Sequence, residues 1–190
     1  SRVFVERRVY KGFVERFVAA TKDLKVDDPG KETTQLGPMV SRQQRESVEQ
    51  FIASARSAGR QIPFGGERPF PQGAFLQPTV ICEPQLQDKV WREEIFGPVA
   101  CIRPFDSEEQ LLQEVNDSPY GLSGSIWTND LRRALRISRQ VESGVLSINC
   151  NNSVHVEAPF GGFKQSGIGR DLGMAAMEGY TELKNIYIAE

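Results

Sequence analysis

Directly after a short strand pattern at Arg2-Val3-Phe4-Val5, Tyr10, Phe13, Val14, Phe17, Val18 and Thr21 recur at the i, i+3, i+4, i+7 spacing of a helix with one buried stripe. Pro29 and Gly30 close that region. Ser41-x-x-Gln44 reads as a capping box opening a second helix, with Val48, Phe51, Ile52 and Ala55 on one face and a stop at Gly59. Turn residues at Gly65-Gly66 and from Pro69 to Gly73 lead into a predicted strand over 74–81. Val99-Ala100-Cys101-Ile102 is an apolar run of the length of a buried strand, and Ser107-x-x-Gln110 caps a helix expected to turn Leu111, Leu112 and Val115 inward. A strand over 124–128, a helix capped by Asn129 or Asp130 and running to Val141, and a strand over 144–149 continue the alternation. A helix-like stretch at 172–179 precedes a β-rich tail, Tyr180 to Ile188. Strand and helix alternating at this spacing predict an α/β fold: a parallel sheet with helices on both faces and right-handed crossovers.

Composition narrows the classes of partner. The 190 residues suffice for one domain with a real core, and 39% apolar content fits a globular chain. With 23 basic and 25 acidic residues the net charge is −2, which gives no footprint for nucleic acid, and no apolar run approaches a membrane span. Cys82, Cys101 and Cys150 form neither a CxxC pair nor an even set for disulfides, which points to a reducing compartment, taken as the cytoplasm; no metal site is implied. The first residues lack the pattern of a signal peptide. The expected partners are small molecules and further copies of the chain.

Two segments carry chemistry. In Glu93-Glu94-Ile95-Phe96-Gly97-Pro98, adjacent carboxylates run into an apolar pair and a Gly-Pro corner. A carboxylate accepts two hydroxyl donors at once, an aromatic ring covers a flat heterocycle, Pro98 fixes the backbone and Gly97 permits close approach, so the corner suits a ribose. The second segment is Pro159-Phe160-Gly161-Gly162-Phe163-Lys164-Gln165-Ser166-Gly167-Ile168-Gly169-Arg170. In this order and at about this separation, the two resemble the EEIFGP and PFGGxKxSGxGRE motifs of the aldehyde dehydrogenase superfamily.

The resemblance implies the fold of the aldehyde dehydrogenase catalytic domain over 1–179, with an oligomerisation strand over 180–190 that would make dimers or tetramers. It implies oxidation of an aldehyde to a carboxylic acid with NAD or NADP, through a thioester on a cysteine, with a glutamate base activating water. Ser1-Arg2 matches the tail of the family's C-x-A-x-S-R motif, so the nucleophile, the base and the dinucleotide-binding domain are expected upstream of Ser1, and the chain by itself is expected to be inactive. Glu94 would bind the nicotinamide ribose and Phe96 pack near the nicotinamide. Phe160 would line the aldehyde tunnel. Asn149 matches an asparagine beside the reactive centre, where its amide can hold base or substrate; a strand-terminal Asn is equally a turn starter. Glu93 is read as structural, and Lys164, Ser166, Gly167, Gly169 and Arg170 as scaffold, with Arg170 pairing internally. Asp171 in place of the usual Glu, and Asp27-Asp28-Pro29 in place of a glycine turn, depart from the pattern.

The remaining candidates have plainer explanations. Cys150 ends a predicted strand but has no Lys, Arg or His beside it in sequence to lower its pKa, and Cys82 and Cys101 read as core. His155 with Glu157 imitates a base and its orienter, yet sequence neighbours do not make a triad. Arg132, Arg133, Arg136 and Arg139 read as a solvated helix face opposite Leu131, Ala134, Leu135 and Ser138. The rival function is a non-catalytic structural or oligomerisation module of the same fold.

Overall fold

The computed structural model describes residues 1–151 and 154–190. By its internal contacts the chain divides into two compact units, Ser1–Leu111 and Leu112–Glu190. No helix among the described residues is long and apolar enough to cross a membrane.

The first unit is built on a four-stranded sheet, with β1 (Arg2–Glu6), β2 (Gln61–Phe64), β3 (Thr79–Cys82) and β4 (Val99–Phe105) in the order β1-β4-β3-β2. β1 and β3 run parallel to β4, while β2 pairs antiparallel with β3 at the edge. Alternation sorts the strand residues to two faces. Val5, Val80, Cys82 and Ile102 pack beneath Tyr10, Val14, Phe17 and Val18 of α1 (Arg7–Lys22). Ile81, Val99 and Cys101 pack on the other face against Val48, Phe51, Ile52 and Ala55 of α2 (Arg42–Ser57) and Val90 and Trp91 of α3 (Lys89–Arg92). Helices cover both faces, which is why β3 and β4 read as nearly unbroken apolar runs.

The boundary between the units falls inside α4 (Glu108–Asn116). The second unit holds β5 (Tyr120–Gly121), β6 (Ser123–Ile126), α5 (Leu131–Ser138), β7 (Val145–Ile148) and β8 (Phe163–Lys164), with a 3-10 helix at Met174–Tyr180. β6 and β7 pair in parallel and β5 pairs antiparallel with β8.

The α/β class holds, with differences in detail. The strand expected over 74–81 forms only at Thr79–Cys82; Ala74 and Leu76 are buried from a non-ladder segment tied down by bonds from Met39 N to Ala74 O and from Gln77 N to Glu67 O. β2 was not expected: it is four residues long, contains Pro63 and sits at a sheet edge, where a missing N–H is tolerated. On α4 the deeply buried residue is Glu114, while Leu111, Leu112 and Val115 are half-buried. On α5 the inward pair is Ala134 and Ile137, whereas Leu131 and Leu135 are exposed beside the arginines. The tail from Leu183 to Ile188 forms no strand and lies fully exposed.

Candidate functional site

Ser41 caps α2 by accepting from Gln44 N at 3.0 Å, so half of the expected capping box forms. The reciprocal half does not. The Gln44 side chain turns away from its helix, and Nε2 donates to the Phe96 carbonyl at 3.0 Å, with a longer contact to the Ile95 carbonyl at 3.4 Å.

The segment Gln44 reaches is the acidic corner. Glu93 N closes the last turn of α3 on Lys89 O, and its carboxylate lies 3.8 Å from Lys89 Nζ, which fits a structural place for Glu93. Ile95, only 4% exposed, anchors the corner in the core. Phe96 then takes φ +51° and, as a residue, is 74% exposed. An aromatic residue in the left-handed region costs about 1 kcal/mol or more, so the surroundings must impose it. Gly97 sits against α2 so closely that a Cβ there would lie 2.7 Å from Val48 Cγ2. Val99 N donates to Gly97 O at 2.7 Å, and Thr79 N to Pro98 O at 2.8 Å, which splices the corner onto the sheet. Glu94 is exposed, and among the described residues its carboxylate has no hydrogen-bond or ion-pair partner. The corner is a rigid turn presenting an unpaired carboxylate and an exposed ring two residues apart, able to accept a diol and to cover a flat ring.

Asn149 and Phe160 lie in the second unit. Asn149 directly follows β7 at φ +56°, a conformation Asn tolerates better than most residues. Its Nδ2 donates to Thr128 O and its Oδ1 accepts from Thr128 N, each at 2.9 Å. One Nδ2 hydrogen and one Oδ1 lone pair remain beyond this clamp. Phe160 is half-buried, fixed by reciprocal backbone bonds with Asp171 of 2.7 and 2.8 Å.

Of the residues read as scaffold, Lys164, Ser166 and Arg170 each bond backbone groups of the chain. Lys164 Nζ donates to Asn116 O at 2.7 Å and Ser118 O at 3.1 Å, and pairs with Glu142 at 2.5 Å. Ser166 Oγ accepts from Gly121 N at 3.0 Å. Arg170 bonds the carbonyls of Gly162 and Gly169 and lies 5.4 Å from the centre of the Phe163 ring. Backbone crosses backbone here: a Cβ on Gly144 would stand 1.8 Å from Gly161 O. A groove of about 480 Å³ lined by Glu142, Phe163, Lys164, Ile168 and Arg170 adjoins this loop, but its Lys and Arg are already bonded to the chain, and neither Asn149 nor Phe160 lines it.

The thiols differ sharply. Burial pushes Cys82 up and Cys101 up to about 11, and the two belong to clusters on opposite faces of the sheet; Cys150 is exposed. His155 and Glu157 are both exposed, and no hydrogen bond or ion pair joins them among the described residues.

The residue at the corner that the sequence concealed is Gln44, whose position in a capping motif gave a sufficient local reason for its presence.

A family description, the aldehyde dehydrogenase family, matches residues 1–186. The chain is similar to a betaine aldehyde dehydrogenase of Sinorhizobium fredii, 42% identical over 191 residues covering 99% of this chain and 39% of that protein. It is similar to a chloroplastic betaine aldehyde dehydrogenase of Beta vulgaris, 40% identical over 98% of this chain and 38% of that protein. Among solved structures, an aldehyde dehydrogenase from Bacillus cereus in an NAD+ complex superposes with a TM-score of 0.95 at 38% identity, covering 99% of this chain and 38% of that one. The chain therefore spans about two fifths of the length of the relatives it matches.

Proposed function

Because the chain belongs to the aldehyde dehydrogenase family, we propose that it works as the C-terminal part of the catalytic domain, over 1–179, of an NAD(P)-dependent enzyme that oxidises an aldehyde to a carboxylic acid through a cysteine thioester. The nucleophilic cysteine, the glutamate base and the dinucleotide-binding domain belong, on this reading, to sequence before Ser1. The observation that carries it is the corner itself. Glu94 holds a carboxylate in solvent with no partner among the described residues, beside a Phe96 kept in a strained conformation. Neither side chain has a hydrogen-bond, ion-pair or ring partner among the described residues, so both are available to a ligand.

In this reading the Glu94 carboxylate accepts both hydroxyls of the nicotinamide ribose, and Phe96 lies against the nicotinamide side. Bound there, the dinucleotide supplies a hydride acceptor. Asn149 supports the reactive centre with the amide hydrogen its Thr128 clamp leaves over, and Phe160 shapes the aldehyde side. The tail over 180–190 forms an oligomerisation strand in a dimer or tetramer. Thiols on opposite sheet faces fit a reducing compartment, the cytoplasm.

The chain without the nucleophile and the dinucleotide-binding domain is expected to be inactive, because the pathway itself is missing. One or two hydrogen bonds from Glu94 amount to a few kcal/mol at most, roughly millimolar binding or weaker after association costs.

The test is to mix the full-length protein with NAD+ or NADP+ and a panel of aldehydes, including betaine aldehyde and aminoaldehydes. Growth of the reduced-nicotinamide absorbance is the expected result. Silence across the panel would favour a non-catalytic structural or oligomerisation module.

A further inference from the structure

We propose that Gln44 is a positioning residue for the cofactor corner: its side-chain amide, launched from the first turn of α2, holds Phe96 in its left-handed conformation and so sets where Glu94 and the Phe96 ring stand. The inference rests on the reading of the corner as a nicotinamide ribose site.

The sequence gives Gln44 a complete local explanation that the structure contradicts. It is the third helical residue after the cap Ser41, the position from which a Gln or Glu returns a hydrogen bond to the N-cap amide. Gln44 spends its Nε2 instead on carbonyls at the corner, 3.0 Å from Phe96 O and 3.4 Å from Ile95 O, across 52 and 51 residues of sequence.

The corner needs such a partner. Phe96 at φ +51° is destabilised relative to an ordinary backbone, and the residue is 74% exposed, so side-chain packing contributes little to keeping it there. Ile95 before it is anchored in the core, and Gly97 after it lies flush on Val48 of the same helix. Between these anchors the peptides on either side of Phe96 could turn, the one before it through φ of Phe96 and the one after it through ψ, carrying the Ile95 and Phe96 carbonyls away from α2. The Gln44 amide contacts both carbonyls and fixes them toward α2. Acting on the backbone between Glu94 and Gly97, it couples the helix to the direction of both exposed side chains.

Glu and Gln serve equally at the third position of a capping box, and a carboxylate is favoured near a helix N-terminus, so Gln44→Glu leaves α2 as stable or more stable. A carboxylate cannot donate to the Phe96 carbonyl. A capping role therefore makes the substitution harmless, while a positioning role makes it harmful at the corner. Gln44→Met, which removes the donor without adding charge, is the companion variant.

Two readouts are compared. In the 190-residue chain, the ¹³C shifts of Phe96 report its backbone conformation; both variants are expected to move them toward ordinary values while the shifts of Val48 and Ile102 stay in place. In the full-length enzyme, KM for the nicotinamide cofactor is expected to rise roughly three- to tenfold, the size of one net hydrogen bond, with KM for aldehyde and the melting temperature nearly constant. Unchanged Phe96 shifts, or shifted resonances with an unchanged cofactor KM, would overturn the proposal. A full-length wild type that reduces no nicotinamide with any aldehyde would sink the ribose-site reading and with it the cofactor role of Gln44, a failure that is told apart from a failed clamp by the Phe96 shifts.

Discussion

The carboxamide of Asn149 engages both backbone groups of Thr128, donating to its carbonyl and accepting from its N–H at 2.9 Å each. This clamp joins the residue after β7 to the segment after β6, and it occupies half of what the amide can offer. Asn149→Ala removes both bonds and places Ala at φ +56°, so we expect a loss of about 2 kcal/mol. Asn149→Gly removes the bonds but tolerates the conformation, and should lose less. Denaturant unfolding of the chain compares the two; equal losses would mean that the left-handed backbone contributes nothing at this position.

Glu94 is exposed and unpaired among the described residues, so its charge has no evident task in folding. On the proposed reading of Glu94 as a ribose ligand, Glu94→Gln in the full-length protein keeps size and removes the charge that would strengthen hydrogen bonds to the ribose hydroxyls. We expect kcat/KM for the cofactor to fall about tenfold, equivalent to ~1.4 kcal/mol, with stability altered by less than about 0.5 kcal/mol. Unchanged kinetics together with a much lower melting temperature would assign Glu94 to structure.

The sequence made legible those elements in which local and tertiary demands agree. α1 and α2 carry their apolar stripes where the sheet needs them, and Asp130 caps α5 by accepting from Arg133 N at 3.0 Å. Both Ser-x-x-Gln boxes were half right. Ser107 accepts from Gln110 N at 3.1 Å, yet the Gln110 side chain accepts from Asp106 N, one residue before the cap, while that of Gln44 leaves for Phe96. Long-range competition for a side-chain amide leaves no mark on local spacing. The same holds at Phe96: nothing about an aromatic residue announces a left-handed backbone, which here sits between an Ile95 anchored in the core and a Gly97 held against α2, with the Gln44 amide on its carbonyl. β2 was hidden because Pro63 and a four-residue length argue against a strand anywhere except an edge. Glu94, Phe96, Asn149 and Phe160 could be named only through the motifs, since composition and periodicity distinguish none of them.

The three thiols should separate cleanly by alkylation. Burial raises the pKa of Cys82, and that of Cys101 to about 11, so at neutral pH neither forms appreciable thiolate, and the fold shields both. Cys150 is exposed. Iodoacetamide at pH 7.5–8 is therefore expected to modify Cys150 alone in the folded chain and all three in denaturant, as peptide mass mapping would show. Native labelling of Cys101 at a rate like that of Cys150 would mean that β4 opens readily to solvent.

The tail carries the clearest expectation for assembly. Leu183, Ile186, Tyr187 and Ile188 are all at least 74% exposed and form no strand. In an extended segment Leu183 and Tyr187 would point to one side and Ile186 and Ile188 to the other, so both faces carry apolar surface. Covering one face against the chain's own body would still leave the other in water, whereas pairing with a second subunit at a strand edge can cover both and satisfy the backbone. Deleting residues 181–190 from the full-length protein is expected to lower its mass in light scattering from that of a dimer or tetramer, while the near-ultraviolet spectrum of the subunit persists. An oligomeric state untouched by the deletion would remove the tail from the interface and leave its apolar residues without an assigned partner.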